Sequence, residues 1–327
     1  MKTRTIGKSD LKVFPIGLGA MGMSEFYGKT DEKQSIKTLH KALDIGVNFI
    51  DTADVYGIGA NEELLRKAYS DRWNDLVLAT KFGFVRDKNN PEVRELSGSP
   101  EYVKSSCEAS LKRLGRDVID LYYLHRVDPN TPIEETVGAM AELVKEGKIR
   151  YIGLSEVSGD TLRRANKVHP ITAVQTEYSI WSRDVEKTTM SVIEELGISL
   201  VPYSPLGRGF LSGKIKDTSE LSENDFRHTV PRFQKEFFES NKTLLNRIEQ
   251  LADKKKVTPA QLSLAWLLHK GENIIPIPGT KQEKYLIENT KAVDVELTQN
   301  EMLYLDDTYS TVAGERYNDM GMKFTNL

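Results

Sequence analysis

Cysteine is almost absent from this chain: its 327 residues include one, Cys107. A single thiol excludes an intramolecular disulfide and any cysteine-based zinc cluster. Its setting, Val103-Lys104-Ser105-Ser106-Cys107, reads as a helix interior, where a free cysteine serves as a small buried side chain. Nor is there an excess of charge of one sign. The net charge is −3 and the pI near 6.1, with 28 % charged and 39 % hydrophobic residues, so nothing draws the chain to nucleic acid or an anionic membrane. Long apolar runs are missing as well. No stretch approaches a membrane span, and Met1-Lys2-Thr3-Arg4-Thr5-Ile6-Gly7 carries no apolar core of signal-peptide length. The expectation is a cytoplasmic protein with no metal site and no membrane or nucleic-acid partner. No heptad or apolar stripe points to an oligomeric state.

What the chain does have is alternation. Strand-like runs end near Leu18, Asp51, Lys81, His125, Ser155, Gln175, Tyr203 and Ile277. Helical spacing occupies Asp31–Gly46, Asn61–Tyr69, Pro100–Leu114, Ile133–Glu146, Gly159–Val168 and Asp184–Leu196. It returns in Asn241–Lys256, Pro259–His269, Lys281–Ala292 and Thr298–Tyr309. Strands alternating with helices imply a parallel sheet with helical crossovers. Eight such units, at about 250 residues or somewhat more, predict an α/β fold of the (β/α)8 TIM barrel type. We expect one domain over 1–327, with an N-terminal β-hairpin and extra helices at the C-terminal end. The irregular stretch 207–239 follows the seventh strand and is too long for a plain connection, so it is predicted to be a rim loop over the active site.

Gly17-Leu18-Gly19-Ala20-Met21-Gly22 matches the dinucleotide fingerprint G-x-G-x-x-G directly after a strand-like run. That motif should open a helix, yet Ser24-Glu25-Phe26-Tyr27-Gly28-Lys29-Thr30 intervenes before helical spacing begins. A glycine-rich turn shaping the barrel rim is the preferred reading, with a Rossmann-type dehydrogenase as an alternative.

Asp51, Lys81 and His125 each stand at the end of a strand-like run, and Tyr56 lies five residues beyond Asp51. In a parallel barrel all four meet at one rim. Hydride addition to a carbonyl develops an alkoxide that needs a proton donor. A phenol with an ordinary pKa of about 10 keeps its proton at neutral pH and can supply it. A nearby lysine favours the tyrosinate left behind, and an aspartate holds that lysine by a charge-assisted hydrogen bond. His125 is placed to orient the carbonyl oxygen.

Gly46-Val47-Asn48-Phe49-Ile50-Asp51-Thr52-Ala53-Asp54-Val55-Tyr56-Gly57 resembles the first signature of the aldo-keto reductase family. Asp51, Tyr56, Lys81 and His125 match the family's catalytic tetrad in type, order and strand-end position. Ile149–Ser155, Gln175, Val201–Gly207 and Ile275–Thr280 carry the likeness along the chain, which is most similar to the bacterial, yeast and plant branch described as auxin-induced-like. The resemblance implies reduction of a small-molecule carbonyl substrate to an alcohol with NADPH (NADP+ in the oxidised state). It implies that the nicotinamide stacks on Tyr203 with its carboxamide on Ser155 and Gln175. Ser204, Leu206 and Arg208 then lie along the pyrophosphate, Gly279, Thr280 and Lys281 clasp the 2′-phosphate, and Glu288 and Asn289 contact adenine. Two departures stand out: Glu156 where the family often has asparagine beside the serine, and Tyr285 in place of an arginine. Lys281 or Lys284 is the expected substitute cation. Candidate substrate-pocket residues are Tyr27, Phe84, Arg126, Trp181 and Arg227, together with Phe26, Phe226, Arg232 and Phe233. The other alternative is a cofactor-sensing regulatory subunit on the same barrel, comparable to potassium-channel β subunits.

Overall fold

A short antiparallel hairpin, β1 (Arg4–Thr5) with β2 (Lys12–Val13), leads into the barrel in the computed structural model, which describes residues 2–87, 90–223 and 225–327. The strands that follow are β3 (Leu18–Gly19), β4 (Phe49–Asp51), β5 (Val77–Phe82), a rim hairpin of β6 (Phe84–Asp87) and β7 (Asn90–Leu96), then β8 (Ile119–Leu124), β9 (Ile149–Ser155), β10 (Ala173–Glu177) and β11 (Ser199–Tyr203). Seven of them form one parallel sheet in the order β11-β10-β9-β8-β5-β4-β3. The eighth expected strand closes it through backbone bonds. Ile275 and Ile277 donate to Leu200 and Pro202 on β11, while Pro276 and Pro278 accept from Gly17 and Gly19 beside β3. Two prolines have no N–H to give toward β3, so this seam carries half the usual bonds, and only isolated bridges mark it.

Helices α1 (Glu32–Asp44), α2 (Ala60–Tyr69), α3 (Pro100–Leu114), α4 (Ile133–Lys145) and α5 (Gly159–Val168) pack on the outer face. They are followed by α6 (Asp184–Thr188), α7 (Met190–Leu196), α8 (Lys235–Lys255), α9 (Pro259–Lys270), α10 (Glu283–Thr290), α11 (Gln299–Thr308) and α12 (Asp319–Met322). Their ends follow local chemistry. Asp31, Ser99 and Ser158 cap the first turns of α1, α3 and α5, and Thr258 with Gln261 forms a capping box on α9.

The strand period of two divides the core. Ile50, Leu78, Tyr122, Ile152, Val174 and Leu200 face the helices, while Phe49, Val77, Ala79, Leu121, Tyr123, Ala173, Val201, Ile275 and Ile277 fill the barrel interior with Ile6, Leu11 and Val13 of the hairpin region. Gly153 belongs to the inward set, and a Cβ there would lie 2.3 Å from the Tyr123 ring that occupies its space.

Four features differ from the sequence reading. The strand-like run that ends near Leu18 begins, in sequence, at Val13 and is split at the Pro15 bend between hairpin and barrel. The span Asp184–Leu196 is two helices, broken at Thr189, whose hydroxyl donates to Val157 O at 3.0 Å. The helix expected from Asn241 starts at Lys235, so the rim stretch is shorter than 207–239 and consists largely of 3-10 turns. The rim hairpin β6–β7 carried no recognised signal. Cys107 is buried within α3, and burial pushes its thiol up to about 12, consistent with packing and not nucleophilic chemistry. Among the described residues no helix is long and apolar enough to cross a membrane.

Candidate active site

The inward parity that fills the barrel continues to its C-terminal rim. Two residues beyond Phe49 stands Asp51; four beyond Val77 and Leu121 stand Lys81 and His125; Ser155 and Tyr203 end the inward sets of β9 and β11, and Gln175 is inward on β10, one step before Glu177. These strands therefore deliver inward residues from their C-terminal ends to the base of a cleft of about 490 Å³.

Lys81 is fully buried, and its Nζ donates to Asp51 Oδ1 at 2.5 Å and to Thr52 O at 2.6 Å. Gln175 Nε2 donates to the other Asp51 oxygen at 2.8 Å, so both acceptors of this buried carboxylate are used. Tyr56 comes from the turn after β4, with Gly57 and Gly59 at positive φ. Buried Asn61 braces that turn: it accepts from Thr52 Oγ1 and donates to Ala20 O and Ser24 Oγ. The Tyr56 ring lies 5.2 Å from Lys81 Nζ and meets the His125 ring edge-on at 5.8 Å. Phe84 backs His125 from the other side, its ring centroid 5.0 Å away.

Burial governs the protonation states. It raises the Tyr56 phenol well above the usual range, and the Asp51 charge pushes in the same direction, so the phenol holds its proton. Burial, then the charges of Lys81 and Arg126, depress His125 well below the usual imidazole value, leaving it neutral with Nδ1 unpartnered. Burial also lowers Lys81, against the pull of Asp51.

The opposite wall of the cleft comes from the first, seventh and eighth barrel segments. Gly19, Ser204, Leu206, Arg208, Gly279, Thr280 and Lys281 line it, with Tyr27 and Arg227 from the loops above, while Phe84 and Arg126 border the cleft on the His125 side. Gly19 and Gly279 face each other in a parallel bridge, leaving that wall bare backbone. Lys281 Nζ donates to Tyr27 O and Lys29 O, both at 2.6 Å, tying the loop after β3 across the cleft. Phe26 and Phe226, ring centroids 5.6 Å apart, join that loop to the rim stretch.

Several candidates sit elsewhere. Trp181 lies beneath the rim against Phe210, at 4.1 Å between ring centroids, and is core and not cleft wall. Arg232 and Phe233 are buried with it, Arg232 Nη1 donating to Trp181 O. Glu288 and Asn289 stand behind Tyr285 off the cleft surface; Lys214 holds Glu288 Oε2 at 2.7 Å, and Glu288 Oε1 is buried without a partner. Glu156 turns away from the cleft altogether, at φ 54°, onto the C-terminal segment.

That segment is the part of the site that sequence reasoning missed. Arg316 pairs with both Glu156 oxygens, at 2.8 and 2.7 Å, while Thr176 Oγ1, Glu177 N and Tyr203 OH donate to Oε1. Burial raises the Glu156 carboxyl, but Arg316, Arg126 and the Glu177 N–H more than offset it and bring it down to about 2. Tyr317 then reaches the cleft, its hydroxyl 2.9 Å from Tyr203 OH and its ring under Arg208 at 4.8 Å. A polar tail after the last long helix carries no periodicity to announce this. The only signal was the unusual glutamate beside Ser155. Among the described residues, four of the seven non-glycine positions at positive φ (Phe26, Glu156, Ser204 and Arg208) are in this rim, a clustering of strain usual for functional sites.

Comparison with known proteins agrees with this architecture. Residues 15–310 match the model of the Aldo/keto reductase family. The chain is 46 % identical over 316 residues to a probable aldo-keto reductase 1 from Glycine max, covering 95 % of this chain and 90 % of that protein. The glycerol dehydrogenase AKR11B4 from Gluconobacter oxydans superposes with a TM-score of 0.87 at 28 % identity, over 97 % of this chain and 98 % of that one. The holo form of aldo-keto reductase AKR11C1 from Bacillus halodurans gives 0.78 at 29 % identity, over 98 % and 99 %.

Proposed function

The chain belongs to the aldo-keto reductase family, whose members reduce carbonyls with nicotinamide cofactors, and we propose that it uses NADPH to reduce a small-molecule aldehyde or ketone, with Tyr56 as proton donor. The observation carrying this reading is the protonated Tyr56 phenol facing neutral His125 and Asp51 at the border of one cleft, with Lys81 buried behind them on Asp51.

The donor set suits a dinucleotide. The Gly19–Gly279 wall admits a flat group against backbone, and Lys281 and Thr280 offer cationic and hydroxyl contacts. Tyr203 is a rigid stacking platform because Glu156 and Tyr317 fix its hydroxyl. When bound, the reduced nicotinamide supplies hydride. Ser155 and Gln175 are the carboxamide contacts in this reading, and Ser204, Leu206 and Arg208 border the pyrophosphate. Around Tyr285 the missing arginine is replaced by two ammonium groups, Lys214 at 3.9 Å and Lys284 at 4.7 Å from the ring centroid, which with Lys281 favour a 2′-phosphate.

For the chain's own residues, His125 donates to or orients the carbonyl oxygen, and Tyr56 gives its proton to the developing alkoxide. Lys81, anchored by Asp51, stabilises the phenolate that remains. NADPH oxidation against a panel of aldehydes, ketones and dicarbonyls tests the proposal. Tight NADPH binding with no turnover anywhere in the panel would replace it with a cofactor-sensing role.

A further inference from the structure

Among the described residues five cations border the cleft, and four are satisfied by the protein. Arg86 pairs with Glu25 at 3.0 Å, Arg208 with Glu177 at 2.8 Å and Arg227 with Asp225 at 2.7 Å, while Lys281 donates to two backbone carbonyls. Arg126 is the exception. It is 8 % exposed, yet among the described residues no carboxylate lies within ion-pair distance. Glu156, the nearby acid whose charge it feels, is engaged by Arg316.

A guanidinium withdrawn from water without a counter-charge is costly, and the cost is offset by an anion that arrives with a ligand. The donor geometry says where. Arg126 spends Nη1 on His125 O at 2.7 Å and Ser155 Oγ at 3.2 Å. Its Nε and Nη2 donate to no described protein atom, and neither is among the sealed, unpartnered atoms, so three N–H groups open on the cleft. The backbone bond to His125 sets this fork directly beside the acid–base group. Phe84 lies under it, 5.9 Å from the guanidinium carbon to the ring centroid, and walls His125 as well. Lys281, at the other end of the cleft, is the cation assigned to cofactor phosphate.

We propose that Arg126 is a specificity-determining residue that selects carbonyl substrates bearing a carboxylate, an inference that rests on the carbonyl-reduction reading above. The planar fork matches a carboxylate held by two parallel bonds, and Phe84 supports the carbon skeleton between the two functional groups. In the reaction the carbonyl carbon gains hydride from the reduced dinucleotide, which leaves oxidised, and the oxygen gains the Tyr56 proton. The product is a hydroxy acid, and the carboxylate itself is unchanged.

The test compares glyoxylate, succinic semialdehyde and para-carboxybenzaldehyde, which differ in carbonyl–carboxylate spacing, with their primary amides. For at least one spacing kcat/KM for the acid exceeds that for the amide by about tenfold or more, as expected for charge-assisted bonds in a buried site. Arg126→Gln collapses that ratio toward one through KM for the acid, and Arg126→Lys, which keeps charge but loses the fork, restores part of it. A ratio near one at every spacing, or a ratio that survives Arg126→Gln, overturns the proposal. Calorimetric binding of terephthalate against terephthalamide, in wild type and Arg126→Gln, reads the same preference without turnover. If no carbonyl is reduced, the function reading fails while this binding still decides the anion site.

Discussion

The cleft is built by two regions that use the same interaction differently. At its base, the Asp51–Lys81 pair joins two neighbouring barrel strands whose backbones already fix the distance. At its rim, the Glu156–Arg316 pair joins a strand end to a tail 160 residues away. Ala313 exchanges bonds with Asn241 and Gly314 O accepts from Arg232 at one end of that tail; Asn326 N donates to Glu156 O and Ser158 N to Leu327 O at the other. Between them Arg316 is joined by Tyr317 on Tyr203. The base pair is a feature of the scaffold, whereas the rim pair is what places its segment. Breaking the first should damage the whole molecule; breaking the second should release a part.

The largest effect should come from the base. Tyr56→Phe is expected to lower kcat by roughly 10²–10⁴-fold, the usual contribution of a positioned acid, with NADPH affinity by fluorescence titration unchanged. Unaltered turnover would remove Tyr56 from its role. Lys81→Met leaves Asp51 buried without its cation, and the global unfolding free energy in urea should fall by about 3–5 kcal/mol. A drop confined to activity would mean that the barrel does not depend on this pair.

Arg316→Met sharpens the contrast. The tail should become sensitive to limited proteolysis within 313–327 while the urea midpoint of the barrel moves little, and KM for substrate should rise more than kcat falls because Tyr317 leaves the cleft. Equal loss of global stability in Lys81→Met and Arg316→Met would erase the distinction. The rim pair should also respond to acid. Glu156 titrates lower in the folded state, at about 2, than its ordinary 4.5. Its contribution is therefore present above pH 4.5 and is lost as pH falls through about 2. Pepsin nicking of the tail should increase across that window in wild type and be flat in Glu156→Gln. The smallest effect concerns cofactor choice: Lys281→Ala or Lys214→Ala should reduce the kcat/KM preference for NADPH over NADH by about tenfold or less, since each removes one charge at a partly exposed site. An unchanged preference in both variants would place the selector elsewhere.

The contrast also explains what could be read in advance. The barrel followed from alternation, and the strand-end residues Asp51, Lys81, His125, Ser155, Gln175 and Tyr203 from their place at the close of apolar runs. The glycine-rich turn was separable from a Rossmann motif because no helix follows it; the structure has a 3-10 turn at Met21–Met23, and a Cβ on Gly17 would strike Phe49 at 2.7 Å. Aromatics and arginines of the rim loops were not separable into wall and core. Trp181 and Arg227 look alike as loop residues, yet one is packed on Phe210 and the other lines the cleft.

By itself, then, the sequence determined the order of strands and helices and the side chains each strand brings to the rim, because a period of two and a strand end are local properties. Tertiary structure decided the partners. Gln175 donating to Asp51, Glu156 committed to Arg316, Tyr317 reaching Tyr203, and Arg126 left without a carboxylate among the described residues all depend on which distant segments meet above the barrel. Charge pairing across such separations is set by packing geometry, and no local pattern encodes it.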